Sequence, residues 1–141
     1  MSASIHRPYV TSCPPLHAVL LGGAATLFLA ALLSDIAYTR SYEIQWNNFA
    51  SWLIAGGLVV AGAALVCAIL GLLPARRTRH SLLHFVLLLV AWIVGLLNAL
   101  WHARDAWASM PGGLVLSVIT VLLACAATWL GCGAVRTGGA P

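Results

Sequence analysis

Two histidines stand at corresponding places in this sequence and carry its clearest chemistry. His17 lies near the start of the first long apolar segment, and His84 lies near the start of the third. One neutral nitrogen from each of two helices is the donor set that holds the iron of haem b. We therefore predict His17 and His84 as haem ligands, with His80 as a substitute ligand four residues before His84. The alternative is that histidines near a membrane surface only meet water and lipid headgroups.

A second polar group lies near the end of the third apolar segment. Asn98, His102 and Asp105 have the spacing that places them on one face of a helix. Asp35 closes the first apolar segment at a similar level. A polar group inside a membrane costs free energy unless it finds a partner, so these four residues are site candidates. We expect either a structural network, with Asp35 paired to His102 or an arginine, or a site that binds a partner protein or a quinone headgroup.

The other reactive residues form no catalytic or metal-binding motif. The four cysteines have no CxxC spacing and are typical of small hydrophobic residues in a membrane; they are Cys13, Cys67, Cys125 and Cys132. We find no phosphate-binding loop, no HExxH motif and no nucleophile elbow. The apolar segments have no acidic residue at their centres, and we find no inverted repeat, so a proton-coupled carrier is disfavoured. The sequence predicts no catalytic residue.

The composition excludes most soluble functions. The chain has 141 residues, of which 62% are hydrophobic and 7% are charged, whereas soluble domains carry about 25% charged residues. Its seven basic residues are all arginine and are spread over short segments, so they cannot form a surface that tracks nucleic-acid phosphates. What remains is a small membrane protein.

Four apolar segments have the length needed to cross a bilayer, which is about 20 residues for a helix. They cover about 16–35, 51–73, 82–101 and 113–133, with short links between them. Short links place consecutive helices antiparallel. The sequence therefore predicts one domain over 1–141, an all-α membrane protein that forms an antiparallel four-helix transmembrane bundle.

The arginines predict the orientation of this bundle. Five lie in the two tails and the second link, and two lie on the opposite side. Because cytoplasmic segments carry the excess of positive residues, we expect both termini in the cytoplasm. Trp46, Trp52, Trp101 and Trp107 cluster at the other face, as an interfacial aromatic belt does. We expect a multi-pass membrane protein in this orientation.

Several segments resemble a bacterial family of small, uncharacterised, predicted four-helix inner-membrane proteins, known as a domain of unknown function. The segments are 15–17 (PLH), 31–38 (ALLSDIAY), 43–54 (EIQWNNFASWLI), 97–107 (LNALWHARDAW) and 128–131 (TWLG). The resemblance extends over nearly the whole chain. Relatives often carry Phe-Pro shortly after the position of His17, where this chain has Gly22-Gly23-Ala24.

The resemblance implies a redox setting, because relatives often occur beside c-type cytochromes or quinoprotein dehydrogenases. Our leading hypothesis is a non-catalytic electron-transfer or anchoring subunit. It would bind haem b between the first and third spans and dock a periplasmic dehydrogenase or cytochrome. A structural scaffold without a cofactor is the alternative. A small-molecule channel or transporter is disfavoured, because four spans leave little room for a polar pathway unless the protein forms an oligomer.

Overall fold

Four long helices make up almost all of the described chain. The computed structural model describes residues 15–72, 79–104 and 106–133, and this part contains no strand. Its helices are α1 (Pro15–Ser41), α2 (Ile44–Gly71), α3 (Arg79–His102), the short α4 (Ala106–Ser109) and α5 (Gly112–Gly133). The four long helices have 22 to 28 residues and are apolar enough to cross a membrane. The prediction of an all-α four-helix membrane bundle is confirmed.

The first two helices are longer than the predicted spans. Positions 36–50 were expected to form a link, but α1 continues to Ser41 and α2 begins at Ile44. Hydroxyl groups support the polar end of α1, since Ser41 Oγ donates to the carbonyl of Ala37 at 2.8 Å. Tyr42 then takes a positive φ of 57°, and its amide donates to the carbonyl of Tyr38 at 2.8 Å. This left-handed cap reverses the chain within two residues.

The helices form a four-membered ring in cross-section. Helix α1 packs against α2 and α5, and α3 packs against the same two helices, so α1 and α3 face each other across a diagonal. Alanines dominate the buried positions, while leucine, valine and isoleucine side chains cover much of the outer surface. Lipid gives no hydrophobic drive between helices, so small residues stabilise the bundle by letting the backbones approach closely. The outward apolar side chains are the lipid-facing surface.

Phe28 fills the middle of the bundle. Its side chain is only 2% exposed and lies against two glycines from different helices. A Cβ atom on Gly57 would stand 2.7 Å from Phe28 Cε1, and one on Gly95 would stand 3.4 Å from Phe28 Cζ. The aromatic ring therefore fits between the helices because Gly57 has no side chain.

The chain consists of two similar helix hairpins. Residues 16–21 (LHAVLL) and 83–88 (LHFVLL) differ only at the third position. Their histidines, His17 and His84, are 67 residues apart and in contact, and a second contacting pair, Asp35 and His102, has the same separation of 67. Helices α1 and α3 are therefore parallel and in register between the two pairs.

The same offset relates the other two helices. Buried Ala50, Ile54 and Gly57 of α2 correspond to Ser117, Val121 and Ala124 of α5, which are also buried. The hairpins 15–71 and 79–133 are thus related by a pseudo-two-fold axis that runs along the bundle. This is a direct repeat and not an inverted one.

The two contacting pairs mark opposite ends of the bundle. His17 and Asp35 are 18 residues apart, as are His84 and His102, which is five helical turns or about 27 Å. We call the level of His17 and His84 the histidine end, and the level of Asp35 and His102 the aspartate end.

Gly57→Ala should destabilise the bundle by about 1–3 kcal/mol, because its methyl group would force Phe28 to shift in a closely packed interior. Gly22→Ala is the matched control, since a Cβ there meets nothing within 4 Å, and it should cost no stability. The free energy of unfolding in mixed micelles measures both. Equal stability of the two variants would contradict this account of the core.

Candidate functional site

The two predicted histidine ligands meet inside the bundle. His17 Nε2 lies 3.1 Å from His84 Nε2, and both residues are buried. The ring planes are nearly perpendicular, at 87°, and the ring centroids are 5.3 Å apart. The centroids are farther apart than the two nitrogens. The difference nearly equals two centre-to-nitrogen distances of an imidazole, one for each ring. The two rings therefore point at each other end-on.

Hydrogen bonds orient this pair. His84 Nδ1 lies 3.0 Å from the carbonyl oxygen of Ala127, and a carbonyl only accepts, so His84 Nδ1 carries a proton. In the neutral ring His84 Nε2 then offers a lone pair, and His17 Nε2–H donates to it. His17 Nδ1 is buried and has no hydrogen-bond partner among the described residues. The bond thus runs from α1 to α3, and α5 holds the accepting ring in place.

The backbone of α5 packs directly beside His84. A Cβ on Gly131 would stand 2.7 Å from His84 Cε1 and 2.8 Å from Leu21 Cδ1, so only glycine fits there without a shift. His80, the predicted substitute ligand, is exposed on the first turn of α3 and is not brought into this contact. The described residues contain no cluster of three or more His, Cys, Asp or Glu side chains that could hold a metal ion.

The histidine pair offers a donor set that suits haem iron. Two imidazoles approach end-on from two helices, and a backbone carbonyl orients one of them, as is typical of ligating histidines. If haem were bound, His17 and His84 would be the residues that hold its iron, in place of the hydrogen bond between them.

The aspartate end holds a closed hydrogen-bond network. Asp35 Oδ1 lies 2.8 Å from His102 Nε2, and His102 Nδ1 lies 3.0 Å from the carbonyl oxygen of Asn98. Ser117 Oγ donates to Asp35 Oδ2 at 2.5 Å, and Asn98 Nδ2 donates to Ser117 Oγ at 2.9 Å. Helices α1, α3 and α5 are thereby joined by side chains that are all buried.

The network balances its own charge. His102 Nδ1 faces a carbonyl and must carry a proton, and one further proton lies between His102 Nε2 and Asp35 Oδ1. Whichever atom holds that proton, the pair has no net charge, which suits its burial. Asn98 Oδ1 is buried and has no hydrogen-bond partner within the part of the chain that the structure describes. Asp105, the fourth predicted member, lies outside the described residues.

A folded connection covers this end. Ser109 of α4 is fully buried, and its Oγ donates to Asn47 Oδ1 at 3.1 Å. Trp101 Nε1 donates to the carbonyl of Ser109 at 3.1 Å. Gly113 lies against His102, where a Cβ would stand 2.8 Å from His102 Cε1. The connection between α3 and α5 therefore covers the network at the aspartate end of the bundle.

These positions match the structural alternative for Asp35, Asn98 and His102. Their side chains bond to one another and are closed to the surface, so a partner or a quinone would reach them only after the end of the bundle opened. Their role in docking stays a prediction. Sequence reasoning missed Ser117, although a hydroxyl within an apolar segment at this level was the available signal.

A family model covers nearly the whole chain. It matches residues 13–140 and is described as "Predicted membrane protein (DUF2231)". The chain belongs to the DUF2231 family. This agrees with the resemblance seen in the sequence and with the four apolar helices of the structure. No curated protein and no solved structure matches this DUF2231 chain.

Removing Asp35 should strongly destabilise the protein, because it leaves His102 Nε2 buried without its hydrogen-bond partner. Asp35→Ala should cost about 3–5 kcal/mol, as for other broken buried pairs. Glu43→Gln is the control, since Glu43 is exposed. A double-mutant cycle of Asp35→Asn and His102→Gln, read by chemical unfolding, should give a coupling free energy above about 0.5 kcal/mol. Strict additivity of the two changes would show that the pair does not interact.

Proposed function

We propose that this DUF2231 protein is a redox or anchoring subunit of a membrane complex and binds haem b between α1 and α3. The observation that supports it is the end-on meeting of His17 and His84 at one level of two parallel helices. Cores of helix bundles are common places for such cofactors. Bound haem would supply one-electron chemistry.

The surrounding residues have definite tasks in this proposal. The carbonyl of Ala127 holds His84 in the tautomer that offers its Nε2 lone pair. His17 would offer a lone pair on Nε2 in place of its Nε2–H donor. Its proton would then lie on Nδ1, which no described residue contacts by a hydrogen bond. Leu21 and the backbone of Gly131 pack beside the rings and exclude water from them.

The aspartate end is proposed as the anchoring end. Its network ties three helices together, and aromatic residues stand exposed on α2 nearby, namely Trp46, Phe49 and Trp52. Arg104 lies over the ring of Trp101, 4.6 Å from its centroid. With both termini in the cytoplasm, as the arginines predict, this end would face a periplasmic dehydrogenase or cytochrome. About 27 Å of helix separates it from the histidines, so docking and cofactor binding occupy different ends.

The absorption spectrum of the purified protein tests the proposal. Protein made in haem-replete cells should show a Soret band, with about one haem per chain. His17→Ala and His84→Ala should each lose the bis-histidine spectrum, while His80→Ala, an exposed residue on the same helix, should keep it. Gly131→Ala should weaken binding by pushing His84 aside. A colourless wild-type protein that remains folded by circular dichroism would refute the haem proposal.

A scaffold without a cofactor is the second candidate, and a specific observation favours it. The nitrogens of His17 and His84 already form a direct hydrogen bond of 3.1 Å, so the two helices are joined with nothing between them. In that case His17→Ala would lower the stability by about 0.6–1.7 kcal/mol, the usual range for hydrogen bonds between membrane helices. It would leave any co-purifying partner in place.

A further inference from the structure

An apolar groove lies between α1 and α5 on the outer side of the bundle. Its volume is about 370 Å³, and it is lined by Ala25, Cys125, Thr128, Trp129, Cys132 and Gly133. An apolar cavity of about 150 Å³ can hold a benzene ring, so this groove has room for a larger aromatic group. Cys125 and Gly133 are exposed, which shows that the groove opens outwards.

The internal repeat shows what such a groove holds elsewhere in the same chain. With the offset of 67 residues, Ala25 corresponds to Trp92, and Cys125 corresponds to Leu58. The indole of Trp92 occupies the equivalent place between α3 and α2, where its Nε1 donates to the carbonyl of Leu58 at 3.0 Å. The first hairpin has alanine at this position and so leaves the place open. The groove is therefore the counterpart, between α1 and α5, of the place that the Trp92 indole takes between α2 and α3.

A tryptophan stands beside this groove and points away from the bundle. Trp129 is 79% exposed and forms part of the groove's rim. It corresponds in the repeat to Gly62, whose Cβ would lie 3.5 Å from Trp92 Nε1. One face of α5 therefore carries both an unfilled indole site and an unburied indole, at the same depth along the bundle.

We propose that this face is a homodimer interface, in which Trp129 of each copy enters the groove beside Ala25 of the other. A two-fold axis along the membrane normal keeps every residue at its own depth. Because Trp129 and the groove share one depth, such an axis brings both contacts together at once, as an isologous interface requires. Close approach of the copies is helped by the small residues of the groove.

Two variants separate the two halves of this contact. Trp129→Ala removes the inserted side chain, and Ala25→Trp fills the groove from within, as Trp92 does in the other hairpin. Each should weaken dimerisation in liposomes by about tenfold or more, since a tryptophan seated in a pocket is typical of an interface hot spot. Trp52→Ala is the matched control, because Trp52 is 72% exposed on α2, and it should dimerise like the wild type.

Single-molecule photobleaching over a range of protein-to-lipid ratios measures the dimer fraction. A mixture of the Trp129→Ala and Ala25→Trp proteins should regain dimers, because one intact tryptophan then meets one open groove. Trp129 is exposed, so its alanine variant should fold normally and can decide the matter without the groove variant.

Three results would overturn the proposal. The first is a wild-type protein that stays monomeric at every ratio. The second is a Trp129→Ala protein that dimerises as well as the wild type. The third is a monomer whose groove retains a lipid or a quinone through purification, detected by native mass spectrometry and lost in Ala25→Trp. The haem spectrum is independent of all three results, so the function proposed above stands or falls separately.

Discussion

The structure depends on satisfying buried polar groups where lipid offers no hydrogen bonds. A polar side chain inside the membrane must find its partner within the bundle. Helices α1 and α3 do this at both ends, through His17 with His84 and through Asp35 with His102. Because both pairs have the same offset, they fix the rotation and the register of two helices that are not neighbours in the ring.

The number and order of the helices could be predicted from the sequence because length and hydropathy determine which segments can cross a bilayer. Their rotation could not, since a segment that is apolar on every face has no stripe that marks its buried side. The helix ends were also missed, because residues such as Asn47 and Asn48 are typical of loops yet lie in α2.

The residues of the candidate site could likewise be predicted only in part from the sequence. Residue types and spans pointed to His17, His84, Asp35, Asn98 and His102, and the structure brings each into one of two contact groups. Residue type and spacing alone did not separate buried His84 from exposed His80 one turn earlier. The strings LHAVLL and LHFVLL held that information, because a direct repeat places two equivalent histidines about one axis.

The differences between the two hairpins are as informative as their likeness. At the histidine end the repeat keeps the same residue in both copies, which suits a site shared equally by two helices. At the aspartate end it carries Asp35 against His102, a pair without net charge. Between the two ends, the Trp92 indole lies between α3 and α2. Ala25 stands at the equivalent position of α1, where the groove beside α5 stays open. The repeat thus accounts for two identical rings at one end, an Asp–His pair at the other, and an outer face on which alanine stands where the other hairpin has tryptophan.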